Sequence, residues 1–236
     1  MKTTLQNILP SALIALGIVI LGFCVKSGID HFTDKDRKVV VKGLAEKEVP
    51  ADKVTWPIVS KELGNDLPQL YQRIAVTQAQ IRRFLNNGGI KDAEISVNAP
   101  VVIDMNANQY SDNKRDYRYN ITSIITVTSR NVDLVRKLIA QQGELLKQGI
   151  AIVSGEYENR VSYEYVSFKD MKPKMMEEAI ANAESTAQQF ANSSKSKLGK
   201  IVRADQGQFS IDDRDANTPY IKKVRVVSTV TYALND

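Results

Sequence analysis

Between Lys2 and Lys26 the chain carries no charged residue, and the segment that fills this gap holds the only long apolar run, Ile8 to Val25. The uncharged stretch, Thr3 to Val25, is 23 residues long. As a helix with about 1.5 Å of rise per residue it reaches roughly the 30 Å thickness of a bilayer's hydrocarbon core. A cleavable secretory signal ends in a small-x-small site, but Leu21-Gly22-Phe23-Cys24 places a bulky ring where a small side chain is required. The same Phe23 breaks a lipidation motif, so Cys24, the only cysteine, reads as one more small hydrophobe of a retained helix. The sequence therefore predicts an N-terminal membrane anchor over residues 1–28, with the membrane met through residues 8–25, a linker over 29–38 and a domain over 39–234.

Orientation follows from competing effects. Lys26, Lys35, Arg37 and Lys38 follow the run, whereas only Lys2 and the amino terminus precede it. A count of positive charges would keep the carboxyl side in the cytosol, but a long folded domain is translocated largely regardless of charge. Asp30, Asp34 and Asp36 also interleave the basic residues. The expectation is a single-pass protein of the cytoplasmic (inner) membrane with its C-terminal domain in the periplasm or outside; the opposite topology is the alternative. The lack of cysteine after Cys24 fits either side, because about 200 residues can bury enough core to fold without disulfides.

With 43% hydrophobic and 25% charged residues, the chain is neither disordered nor polytopic. Its formal charge of +5 would suit nucleic acid if the basic residues were clustered. They are dispersed, and the densest late group, Lys222, Lys223 and Arg225, reads as a solvated strand face. No nucleic-acid partner is expected.

Strand and helix patterns then take turns. KVVVKGLAEKEV (38–49) opens as a strand, and KVTWPIVSKEL (53–63) follows with Val54, Trp56 and Ile58 on one face by the two-residue period. Pro57 cannot donate to a ladder, which predicts an edge strand or a bulge. Asp66 is placed to cap a helix whose stripe is Leu67, Leu70, Tyr71, Ile74, Ile81, Phe84 and Leu85, and Gly88 and Gly89 supply the stop. AEISVNAPVVI (93–103) and DYRYNITSIITVTS (116–129) read as strands flanking an Asn-rich loop. In the second, Tyr117, Tyr119, Ile121, Ile125 and Val127 share a face. A helix from Val132 to about Gln142, strands near 150–153 and 156–168, a helix from about Pro173 to Lys197, and strands near 200–211 and 221–232 complete the chain. Helices interrupting a strand-rich chain with hairpin-sized gaps predict an α+β fold, antiparallel sheet covered by helices.

The long late helix carries Ala179, Ala183, Ala187 and Ala191 at every fourth position, beside Met176, Ile180 and Phe190. Such a stripe permits close approach of the helix axis, either to the chain's own sheet or to a second subunit. The four alanines are thus a candidate interface of a homo-oligomer. Ser11, Ala15 and Gly22 of the anchor lie close to one helix face and allow a similar contact.

Four segments in order resemble the SIMPL-domain family of mostly bacterial periplasmic or membrane-anchored proteins. They are VVVKGLAEKEVPADKV (39–54), Ala75 to Phe84 with the following GGIKDAEIS, YRYNITSIITVTSRNVDLV (117–135), and AIANAESTAQQFANSSKSKLGKIV (179–202). Together they span most of the chain after residue 38. The resemblance implies an α+β domain on the outer side of the cytoplasmic membrane, with no established reaction and with roles in stress response and assembly. The chain departs from the family in looking tethered rather than cleaved, and in carrying a single glycine, Gly43, in the first motif.

A search for chemistry finds no catalytic set. A Ser-His or Cys-His nucleophile needs a base beside the reacting atom, but the sole histidine, His31, lies just beyond the anchor and Cys24 within it. Cys/His zinc sites fail on the same count, and no phosphate loop follows any strand. DRDAN, with Asp213, Asp215 and Asn217, mimics the start of a calcium loop but has Thr218 and Val224 where glycine and glutamate belong; a polar hairpin turn with Pro219 explains it. Glu156, Glu158 and Glu164 share a strand face that reads as solvated or as an interface rather than an acid/base pair. The expectation is a non-enzymatic, membrane-anchored envelope protein with a SIMPL-like interaction or assembly domain, and without catalytic residues, metal or cofactor. The alternative is a small-molecule binder or enzyme using carboxylates and tyrosines at a sheet edge.

Overall fold

The structure, a computed structural model, describes residues 15–28, 37–107, 116–153 and 159–235. Residues 15–28 form a helix, α1, on which Leu16, Ile18, Val19, Ile20, Leu21, Phe23 and Val25 are each more than half exposed. Residues 1–14 of the predicted anchor lie outside the described residues, as do His31 and the Asp30, Asp34 and Asp36 of the linker. Among the described residues no helix is long and apolar enough to cross a membrane.

The chain divides into two compact units. One is formed by Lys47–Asp170 and Ile211–Val224. Its centre is an antiparallel pair, β2 (Lys53–Gly64) and β5 (Tyr119–Ser129), in unbroken register from Val54↔Ser129 to Gly64↔Tyr119. Val54, Trp56 and Ile58 form the buried face that the two-residue period predicted, and Trp56 and Ile58 lie opposite Val127 and Ile125. No bulge accommodates Pro57. Among the described residues the other side of β2 is met at Lys53–Thr55 by the short strand β7 (Ser162–Glu164) and at Val59–Ser60 by the short strand β6 (Ile152–Val153), and on that side none is paired with Pro57.

The stretch predicted as one strand over 93–103 is a 3-10 turn, Asp92–Glu94, followed by β3 (Ile95–Val97) and β4 (Val101–Asp104), both paired with β5. From Val97↔Ile125 to Val101↔Thr122 this edge advances one residue more than its partner, a bulge that contains Pro100. Helix α2 (Leu67–Asn87) begins where predicted, with the Asp66 carboxylate accepting from the Gln69 amide at 3.0 Å, and ends at Gly88. Its buried stripe is Leu70, Ile74, Thr77, Ile81 and Leu85; Leu67 and Tyr71, counted in the stripe on spacing, are exposed. α2 joins α3 (Val132–Gln141) and α4 (Gly143–Lys147) over one core, where Ile81, Leu85, Val135, Leu138 and Leu145 pack with Trp56, Ile58, Ile125 and Val127. β6 (Ile152–Val153) and β7 (Ser162–Glu164) are the short partners of β2. The strand predicted over 156–168 is thus much shorter, and Glu156 and Glu158 lie outside the described residues.

The other unit takes in Met1–Glu46, Met171–Ser210 and Arg225–Asp236, in their described parts. Strands β1 (Lys38–Pro50), β8 (Lys197–Asp213) and β9 (Ile221–Asn235) form a sheet in the order β1-β9-β8. Within this unit helix α5 (Phe168–Ser193) buries Met175, Ala179, Ala183, Ala187 and Ala191. All four alanines are fully buried within the single chain, and Ala183 and Ala187 pack with Val41, Val230 and Tyr232. Of the two contacts the stripe allows, the intramolecular one is the one seen within this unit. Gly43 explains the fit: a Cβ there would overlap the Ala179 carbonyl oxygen and stand 2.6 Å from the Ala183 amide nitrogen. α5 also begins five residues before the predicted Pro173, which lies inside the helix.

Candidate functional site

The early start of α5 has a cause outside its own sequence. Asp52, in the turn between β1 and β2, accepts the amide N–H of Val166 at 2.6 Å on one carboxylate oxygen and that of Ser167 at 2.8 Å on the other. Burial pushes the Asp52 carboxyl up, but the Ser167 hydroxyl, the two amides and the charge of Arg130 together hold it below the usual carboxylate range. The carboxylate thus fixes the entry to α5 from a distant turn, as an N-cap does from within a helix.

The sign of the pH effect follows. A carboxyl held lower in the fold than in the unfolded chain stabilises above the unfolded pKa of about 4, and that stability is lost as pH falls through the folded value. Asp52→Asn keeps one acceptor and sets an amide donor against the second N–H. It is expected to cost roughly 1 kcal/mol near pH 7, the net value of a hydrogen bond. Urea unfolding of both proteins between pH 7 and 2.5 checks this: the gap should close toward the acid end, and a gap constant with pH would contradict the ionised Asp52.

Asp52 lines a cleft of about 360 Å³ whose wall includes Pro50, Arg130, Asn131, Asp133, Arg136 and Tyr220. Each lining residue is placed by simple local means. The turn is tied down by the Ala51 amide, which donates to the Tyr220 carbonyl at 2.8 Å. Asn131 caps α3, its side-chain oxygen accepting from the Leu134 amide at 3.1 Å, while its own amide donates to the Ser129 hydroxyl. One turn into α3 the Arg136 guanidinium lies 3.4 Å from the centre of the Tyr220 ring, and Tyr220 in turn meets Tyr163 edge to face at 6.1 Å. Burial raises the Tyr163 phenol above its usual value, with Arg136 opposing and Tyr220 adding to the shift.

The residues singled out by sequence lie elsewhere. Glu164 pairs with Lys53 at 3.1 Å on a half-exposed surface. In DRDAN, Asp213 pairs with Lys222, and one oxygen of Asp215 accepts the amides of Asn217 and Thr218 at 2.8 Å each, which is the predicted polar turn. Hydrogen bonds from the Thr218 hydroxyl and Arg214 bring the Asp215 carboxyl down to about 2. Among the described residues no group of three or more His, Cys, Asp or Glu side chains is placed to hold a metal ion. Cys24 is exposed on α1. Sequence reading missed Asp52, Arg130, Arg136 and Tyr220, because their nearness depends on three separate turns. The one local signal is SRNVDL (129–134), an arginine directly ahead of a helix cap.

A family model described as SIMPL, protein of unknown function (DUF541), matches residues 39–232. No curated protein matches the chain.

Proposed function

The chain belongs to the SIMPL family, and from that premise we propose that it is a non-enzymatic protein of the cell envelope. It is held in the cytoplasmic membrane by its N-terminal apolar helix, and its SIMPL domain acts by interaction or assembly on the periplasmic or outer side, in a stress-related setting. The observation that carries this reading is α1: its large apolar side chains are exposed on every side, from Val25 at 53% to Phe23 at 70%. A helix apolar all round needs an apolar surrounding, either protein or lipid. The uncharged run that continues it back to Thr3 has the length that lipid asks for. An interaction role is supported by exposed apolar side chains on the edge strands of the β1-β9-β8 sheet, Val40 and Leu44 on β1 and Ile201 and Val202 on β8.

Two measurements on the full chain test it. After a carbonate wash the protein should stay in the membrane fraction with its N-terminal residues intact; a mature chain starting after residue 20, or a lipid on Cys24, would overturn the anchor. Protease added to spheroplasts should digest the part after residue 38 while cytosolic controls survive. Protection until lysis would mean that Lys26, Lys35, Arg37 and Lys38 had set the opposite topology.

A further inference from the structure

The hydrogen-bonding groups around the Asp52 cleft are unevenly engaged. On the acceptor side, both Asp52 oxygens hold backbone amides, and the Asn131 side-chain oxygen holds the Leu134 amide. Asp133, whose side chain is 93% exposed, takes one long contact of 3.4 Å from Arg136. On the donor side little is engaged. Arg130 is exposed, makes no hydrogen bond among the described residues, and has the Asp52 carboxylate as its nearby counter-charge. Arg136 gives that single long contact, while the stack on Tyr220 fixes the plane of its guanidinium and leaves the other N–H groups at the ring's margin.

We propose that this cleft is a carboxylate-binding site, in which the guanidinium groups of Arg130 and Arg136 take the two oxygens of a ligand carboxylate and Tyr220 holds Arg136 in plane. Two planar cations with unengaged donors match a planar anion. The two aspartates bring the formal charge of the lining to zero, which suits a monoanion better than a phosphate dianion. A volume of about 360 Å³ is at the small end of ligand pockets and admits a small organic acid or the last residue of a peptide. The inference goes beyond the envelope role and stands whether or not that role holds.

The test is calorimetric titration of the full chain in mild non-ionic detergent at pH 7 and low salt, with three probes: acetate, an alanine tripeptide with a free carboxyl terminus, and the same tripeptide amidated. The free acid should bind at least about tenfold more tightly than the amide, and added salt should weaken it. Arg130→Gln and Arg136→Gln should each weaken the acid by about tenfold or more, since each removes a charge-assisted hydrogen bond. Arg130→Lys should restore part of the loss. Arg130 is exposed, so its variants should melt as the parent does, which separates lost binding from lost fold. Acetate binding as tightly as the tripeptide would assign a small acid; a tighter tripeptide would assign a chain terminus. The proposal is overturned if neither acid binds at millimolar concentration, if acid and amide bind equally, or if the double variant R130Q/R136Q binds as the parent does.

Discussion

Replacing Gly43 by alanine is expected to be the most damaging single-methyl change in the domain, costing about 3 kcal/mol or more, the upper end of what overpacking does. The added carbon meets backbone rather than a side chain that could turn aside: the Ala179 carbonyl and the Ala183 amide of α5 both lie inside contact distance. Relief requires the helix to lift from the strand or the strand to bend. Either movement opens the cluster of Val41, Ala183, Ala187, Val230 and Tyr232. At about 2–4 °C per kcal/mol for a chain of this size, the melting temperature should fall by at least about 6 °C. Amide hydrogen exchange in Val39–Ala45 and in α5 should quicken in step. A variant that melts with the parent would mean that α5 does not rest on β1 at Gly43.

This pairing also marks where sequence reading stopped. An alanine every fourth residue tells that something approaches the helix closely, and one glycine in a strand tells the same of the strand. Neither tells that the two approach each other, because residues 43 and 183 are brought together only by the path of the whole chain. Features written within a few residues were legible. Asp66 as a cap, Gly88 as a stop, and Val54, Trp56 and Ile58 as one buried face depend on spacings of two to four residues and stand as read.

The start of α5 was not legible, for the same reason as the cleft. Local chemistry favours beginning a helix at Pro173, whose fixed φ suits a first turn. The helix nevertheless begins at Phe168, behind amides held by Asp52, more than a hundred residues earlier in the chain. Arg130 and Arg136 flank a cap that sequence can find, but Tyr220 reaches Arg136 from the far end of the β8–β9 hairpin. A single sequence offers no spacing that would join them.

Ala183→Leu separates the two uses of the alanine stripe. Ala183 is fully buried, with the Gly43 position on one side and Val41, Val230 and Tyr232 around it, so three further carbons have no room. The expected cost is about 1 to 3 kcal/mol, because leucine, unlike the backbone contact at Gly43, can share the strain among rotamers of its neighbours. The substituted chain should therefore melt earlier while its native mass in mild detergent stays that of the parent. A subunit interface would respond in the opposite way, with a fall in mass and a monomer that melts almost as before, since a leucine at a dissociated surface strains nothing. Measured together on A183L, mass and melting temperature distinguish the outcomes. A lower mass at unchanged melting temperature would move the stripe from the core of its unit to a contact between subunits.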